Sequence, residues 1–335
     1  MSEVIGVDLG GTKVALASLS GGKLGESVLQ PTADQDSDAL IEQLAAMIEQ
    51  ARGDDLRGVG IGVPSVVEFA TGRVISSANI PLADVALRDV LGERIGVPVF
   101  VDNDATVAAL AEAHDENLKM IARDLVMITV GTGVGGGLVL NGRIYRGATG
   151  GAGELGHTLI GTRLDGHIPD PGDFPQIGSL EYAAAGLALD RLATECAEAE
   201  PNSQLATMRG ADGKVTGEQA VQAARDGDEM AAATVEMWGE RLGIGIANAI
   251  NTFDPEEVVI GGGAARAGDL LLEPARRISA GYVLPGLGSK TRIRLARHGV
   301  RSGVLGAALL AHHELGGSSD PPSDGDVAAS STVSQ

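Results

Sequence analysis

The chain has 335 residues, 44% of them apolar, enough to bury one large core or two ordinary domains with a cleft between them. Its formal net charge of -20 opposes polyanions, and with aromatics at only 2% it has no stacking platform for single-stranded nucleic acid; nucleic acid and anionic membrane are therefore excluded as main partners. The one cysteine, Cys196, allows neither an intramolecular disulfide nor a multi-cysteine metal cage, in keeping with a cytoplasmic protein.

The amino terminus, MSEVIGVDLGG, lacks a basic region followed by an apolar stretch, so no signal peptide is expected. Val4 to Asp8 reads as a strand ending in a tight turn, and Val14 to Ser18 as the strand that follows it. Helical spacing of apolar residues marks Asp38 to Gln50, and Gly58 to Val63 and Val97 to Val101 read as buried strands. An alanine-rich helix over Asp104 to Ala113 begins directly beyond the last of these. The opening layout then recurs: Leu125 to Val130, the glycine run Gly131 to Gly137, the strand-like Leu138 to Leu140 and, after Asn141-Gly142, Ile144 to Tyr145. The uncharged run from Leu125 to Gly142 is long enough to cross a bilayer, but six of its residues are glycine and it divides into short strand-like pieces. Leu180 to Ala199 and Glu229 to Asn251 read as long helices, with the uncharged stretch Leu242 to Phe253 assigned to the core. Val258 to Ile260 is a strand before Gly261-Gly262-Gly263-Ala264, and Asp269 to Ser279 is again helical. Alternation of this kind is an α/β pattern with two related halves. Residues 316–335 are too poor in apolar groups to fold and are expected to form a disordered tail.

The glycine turns carry the first chemical signal. In Asp8-Leu9-Gly10-Gly11-Thr12-Lys13, glycines let backbone N–H groups approach an anion, Thr12 adds a hydroxyl, Lys13 a positive charge, and Asp8 a carboxylate able to orient magnesium through water. Taken alone, a glycine pair between two strands is also an ordinary hairpin turn. Gly131-Thr132-Gly133 leads into a strand rather than a helix, which removes a dinucleotide fingerprint from consideration. The third turn, Gly261 to Ala264, lies between a strand and a helix, where a flat ligand can rest on backbone. The second signal is Asp102-Asn103-Asp104 at a strand end. A carboxylate there can take a proton from an attacking alcohol, although Asp104 can equally serve as a helix cap.

These three turns and the Asn103-Asp104 pair resemble the ROK family of sugar kinases and sugar-responsive repressors, over Val4 to about Glu314. The resemblance implies a two-domain sugar kinase/Hsp70/actin-like, ribonuclease H-like fold with an interdomain cleft. The domains would be 1–112, completed by a helix at about 302–315, and 113–301. It also implies that Gly10 to Lys13 and Gly131, Thr132 and Gly133 hold phosphates, that Gly261, Gly262, Gly263 and Ala264 contact adenosine, and that ATP and Mg2+ are used. Asp104 would be the general base and Asn103 a sugar ligand, with Asp102 structural. Gly153-Glu154-Leu155-Gly156-His157 resembles the family's sugar motif, and Ser179-Leu180-Glu181 stands where the family has Cys-Leu-Glu. Glu154, His157 and Glu181, joined by Asn79, are thereby implied as sugar ligands.

The chain departs from the family between His157 and Glu181, where a cysteine-rich structural zinc motif is replaced by a segment with no cysteine at all. Thiolates supply most of such a site, so no zinc is expected. Asp165, His167, Asp170 and Asp173 lack strong metal spacing and read as a solvated loop stiffened by Pro169, Pro171 and Pro175. The implied activity is ATP-dependent phosphorylation of a hexose, glucose first. N-acetylmannosamine, N-acetylglucosamine, fructose or allose, and polyphosphate as donor, stay open. A sugar-sensing repressor is disfavoured by the acidic balance and by the seven residues ahead of Asp8. The family implies a homo-oligomer, dimer or tetramer.

Overall fold

The computed structural model describes residues 3–77, 79–161, 172 and 174–316. The expected tail from residue 317 onward lies outside the described residues, as do Asp165, His167, Pro169, Asp170, Pro171 and Asp173.

The first half opens with β1 (Glu3–Leu9), β2 (Lys13–Ser20), β3 (Lys23–Leu24) and β4 (Val28–Pro31). These are followed by α1 (Ser37–Ala51), β5 (Leu56–Val63), the hairpin β6 (Ser65–Glu68) and β7 (Arg73–Ser77), α2 (Leu87–Ile95), β8 (Val99–Asn103) and α3 (Asp104–Glu112). The second half contains β9 (Leu125–Val130), β10 (Val134–Leu140) and β11 (Arg143–Ile144), then α4 (Leu180–Ala184), α5 (Gly186–Ala199), α6 (Gln204–Thr207), α7 (Gly217–Arg225) and α8 (Glu229–Phe253). It ends with β12 (Glu257–Gly261), α9 (Asp269–Tyr282), β13 (Arg292–Leu295) and α10 (Ser302–Glu314).

The two sheets have the same topology. One runs β3-β2-β1-β5-β8, with β4 also on β2, and the other runs β11-β10-β9-β12-β13. In each, the first two long strands form an antiparallel hairpin, short strands add antiparallel on its outer side, and two further strands add in parallel on the other. The hairpins close at Leu9 opposite Val14 and at Val130 opposite Val134, so both glycine turns lie at the same end of equivalent strand pairs. The repeated strand-turn-strand layout of the sequence is thus a repeated sheet. Within the second half, α8 packs along α9, and buried Trp238 donates its indole N–H to the Ala184 carbonyl at 2.8 Å. Leu242, Ile246, Ala249 and Ile250 of α8 are buried in the same core.

Two expectations need correction. Only Gly131 to Gly133 turn the chain, because Gly135, Gly136 and Gly137 belong to β10. A Cβ at Gly137 would fall 2.5 Å from the Ala105 carbonyl oxygen, and one at Gly136 2.2 Å from that of Gly153, so these glycines admit α3 and a neighbouring turn rather than bend the strand. The helix expected over Leu180 to Ala199 is also broken, at Ala185, because the Gly186 N–H turns away to the Gly131 carbonyl at 2.7 Å.

Helices α3 and α10 join the halves. Helix α10 lies on β1 and β5, where a Cβ at Gly6 would come 2.1 Å from the Val304 carbonyl oxygen and one at Gly60 1.8 Å from that of Ala307. It also touches α3, where Gly306 is 1.8 Å, by the same measure, from the Val107 carbonyl oxygen, and α3 in turn lies on β9 and β10. At the far end of α3 the fully buried Glu112 accepts from Arg294 at 2.7 Å, from the Arg297 and His298 N–H groups at 2.8 and 2.9 Å, and from the Ser302 hydroxyl at 3.1 Å. Burial pushes its carboxyl up, but the Arg294 ion pair and these donors outweigh it and hold the value below the ordinary range. Among the described residues no helix is long and apolar enough to cross a membrane.

Gly60→Ala is expected to lower unfolding stability by at least about 2 kcal/mol, since the new methyl meets backbone that cannot swing aside. Gly281→Ala, in α9 with nothing within 4 Å of the new carbon, should be neutral or stabilising by up to about 1 kcal/mol. Urea unfolding of both variants checks the contrast.

Candidate active site

Asp104 is the first residue of α3, at the end of β8. The capping role falls to Asn103, whose side-chain oxygen accepts the Thr106 N–H at 3.1 Å, while its amide donates to the Ser65 carbonyl at 3.4 Å. Asp104 Oδ1 accepts the adjacent N–H of Ala105 at 2.7 Å, and its own backbone N–H and the Asn103 side-chain amide also act on the carboxyl. Burial pushes its carboxyl above the ordinary value; the Ala105 N–H pulls it down and nearby Glu154 pushes it up again. Asp102 is buried and held by Arg146 at 2.7 Å, whose guanidinium also lies 3.4 Å from the Phe69 ring centre. This ion pair ties β8, the strand that leads into Asp104, to the residue group following β11.

Asp8, at the end of β1, faces the same space. Burial first, then the charge of Asp104, raise its carboxyl to about 6 against the pull of Lys13. It lies against the first turn of α10, where a Cβ at Gly303 would sit 2.4 Å from its Oδ2. The first glycine turn is braced by Gly10 N–H to Lys13 O at 2.9 Å and by the Thr32 hydroxyl to Gly10 O at 2.7 Å, leaving Gly11, Thr12 and Lys13 exposed. Asn79 is exposed and packs beside Gly11, so it borders this turn.

The second turn is closed by Gly131 N–H to Gly133 O at 2.9 Å. Glu181, in the first turn of α4, accepts the Val134 N–H through Oε2 at 2.7 Å. Glu154 is exposed, with its carboxylate 3.8 Å from His157 Nε2, and the His157 ring meets Phe174 edge-on at 5.1 Å. The third turn rests on the end of β9: Gly262, at φ +79°, would place a Cβ 2.4 Å from the Val130 carbonyl oxygen, and only glycine fits both constraints. The structure therefore gathers all three turns, Asp8, Asn103 and Asp104 at matching ends of the two sheets, with Glu181 joined directly to the second turn.

A cavity of about 560 Å3 opens beside Gly131 and Thr132 and runs to Gly263, Ala264 and Ala267. Its far wall is Leu187 of α5 with Glu218, Gln222 and Arg225 of α7, and Trp238 lines it from α8. The sequence reading found the glycine side of this cavity and missed the α7 side. A signal existed, because Thr216 and Gln219 form a reciprocal capping box at the start of α7.

The chain is similar to known proteins over nearly its whole length. The profile of the ROK family matches residues 4–314. A glucokinase from Halalkalibacterium halodurans is 37% identical over 317 residues, covering 91% of this chain and 94% of that protein. A xylose repressor from Caldicellulosiruptor bescii is 30% identical over 83% of this chain and 70% of its own length. The crystal structure of a ROK family glucokinase from Streptomyces griseus in complex with glucose and AMPPNP superposes with a TM-score of 0.73 at 30% identity, covering 93% of this chain and 99% of that one.

The raised Asp8 carboxyl has a stability consequence. With a folded value of about 6 above an ordinary 3.8, this group favours the fold most below pH 3.8, and that contribution is lost as pH rises through 6. Asp8→Asn should therefore stabilise the ligand-free protein by up to about 3 kcal/mol at pH 8, with the gain gone near pH 4. Unfolding titrations at both pH values test this; a gain independent of pH contradicts it.

Proposed function

Because this chain belongs to the ROK family, we propose that it transfers the terminal phosphoryl group of ATP to a hexose, glucose before others, with Asp104 as general base. The observation that carries the reading is the state of Asp104: a carboxyl at a helix start, raised by burial, with one oxygen engaged locally and the cap duty taken by Asn103. A base raised toward neutrality is better matched to accepting an alcohol proton than an ordinary surface aspartate.

In this reading the exposed turn at Gly11 to Lys13 and the turn at Gly131 to Gly133 grip the phosphates, and the cavity between Gly131 and Ala264 takes the nucleoside. Asn79, Asn103, Glu154, His157 and Glu181 would bind sugar hydroxyls. Asn103 can offer only its amide N–H, because its oxygen is committed to Thr106. Asp8 and Asp104 are acidic oxygen donors, and burial first, then the charge of Asp104, raise the Asp8 carboxyl to about 6, a donor set that fits magnesium. When bound, the cation would supply neutralisation of phosphate charge, held by Asp8 through water. We take the halves as 1–112 with 302–315 and 113–301, closing on each other to exclude water.

Similarity to a xylose repressor supports a second reading, a sugar sensor without turnover. A coupled assay against glucose, N-acetylglucosamine, N-acetylmannosamine, fructose and allose, with ATP and polyphosphate as donors, separates the two. Turnover with ATP, fastest on glucose, is expected, and sugar binding with no turnover would favour the sensor. Asp104→Asn should lose roughly 10²- to 10⁴-fold in kcat while keeping glucose affinity in calorimetry. Near-normal turnover would refute the role of Asp104.

A further inference from the structure

We infer that Glu181 couples the two substrate sites, so that hexose and nucleotide each tighten the other's binding. This rests on the functional reading above, in which Glu181 is a sugar ligand and Gly131 to Gly133 hold phosphate.

One carboxylate serves both sides. Oε2 of Glu181 accepts the Val134 N–H at 2.7 Å, and Gly133 makes room for it, since a Cβ there would lie 2.5 Å from the same oxygen. Oε1 has no hydrogen-bond partner among the described residues and is the atom left for a hydroxyl. The other side of Val134 is also engaged from the sugar motif, where a Cβ at Gly156 would fall 2.1 Å from the Val134 carbonyl oxygen. The residue that ends the phosphate turn is thus held between the segment bearing Glu154 and His157 and the helix bearing Glu181.

Helix α4 has little freedom to absorb a shift. Its start is capped by the Ser179 hydroxyl, which accepts from Tyr182 at 3.2 Å, and Ser179 is itself fully buried. At its other end Ala184 accepts from Trp238, and two residues later Gly186 binds the Gly131 carbonyl at 2.7 Å, at the opposite end of the same turn. A hydroxyl that fixes Glu181 through Oε1 therefore also orders the turn that Oε2 and Gly186 hold. Ordering the turn once, for either ligand, makes the second ligand bind more tightly, and the effect is reciprocal.

Calorimetry of AMPPNP binding with and without saturating glucose, or the fastest hexose of the panel, reads the coupling directly. The wild-type protein should bind AMPPNP at least about five-fold more tightly with sugar present, and sugar with AMPPNP present by the same factor. Glu181→Ala should bring the ratio to about one even when the sugar is raised to saturation. Glu181→Gln, whose amide can accept from Val134 and donate to a hydroxyl, should restore part of it. A wild-type ratio within about two-fold of one, with both ligands bound, overturns the inference and leaves the kinase reading intact; this arm needs no variant to fold. An unchanged ratio in folded Glu181→Ala overturns it too, whereas failure of any hexose to bind the wild-type protein overturns both readings.

Discussion

Helix α3 is held at backbone distance on two sides, and the position of Asp104 follows from that. On one side the Val107 carbonyl meets Gly306 of α10, and on the other the Ala105 carbonyl meets Gly137 of β10. Helix α10 meets β1 and β5 just as closely at Gly6 and Gly60. Bare backbone contacts of this kind leave no side chains to repack, so the first turn of α3 is fixed relative to both sheets. Glu112 fixes the other end, where a fully buried carboxylate takes donors from Arg294, Arg297, His298 and Ser302. Removing one partner from such a site leaves a buried charge uncompensated, which makes the helix costly to displace.

Charge in the cleft works against the overall field. A chain at -20 gives ATP no long-range attraction, so anion binding depends on devices that act within a few ångströms. The exposed turn at Gly11 to Lys13, the second turn at Gly131 to Gly133 and magnesium near Asp8 are such devices in the proposed reaction. Burial, and then the charge of Asp104, make an ionised Asp8 costly, as its carboxyl near 6 records. In the proposed reaction, the cost of that buried charge in the ligand-free protein favours a cation beside it.

Much of this was legible because the signals were local. Strand-turn-strand patterns at Asp8 to Lys13 and Val130 to Val134 follow from apolar runs broken by glycine, and they became equivalent hairpins in equivalent sheets. What stayed hidden depends on contacts distant in sequence. Gly135 to Gly137 read as a turn because glycine usually marks one, yet they are strand residues kept bare for α3 and the Gly153 turn. The break at Ala185 is set by the Gly131 carbonyl, some fifty residues earlier, and no local breaker rule exposes it. Asn103 and Asp104 are both good caps, so only the hydrogen bond from Thr106 assigns the task to Asn103 and frees Asp104. Helix α7 was overlooked despite its capping box, and with it the far wall of the cavity.

The central claim is that Asp104 faces the hydroxyl to be phosphorylated while the nucleotide enters from the second glycine turn. A crystal structure with glucose and AMPPNP bound together tests it most directly. The account predicts the primary hydroxyl of glucose within about 3 Å of an Asp104 oxygen, the terminal phosphate between the two turns, and the adenosine in the cavity bordered by Ala264 and Gln222. A sugar whose primary hydroxyl points away from Asp104, or a nucleotide bound outside that cavity, would contradict it.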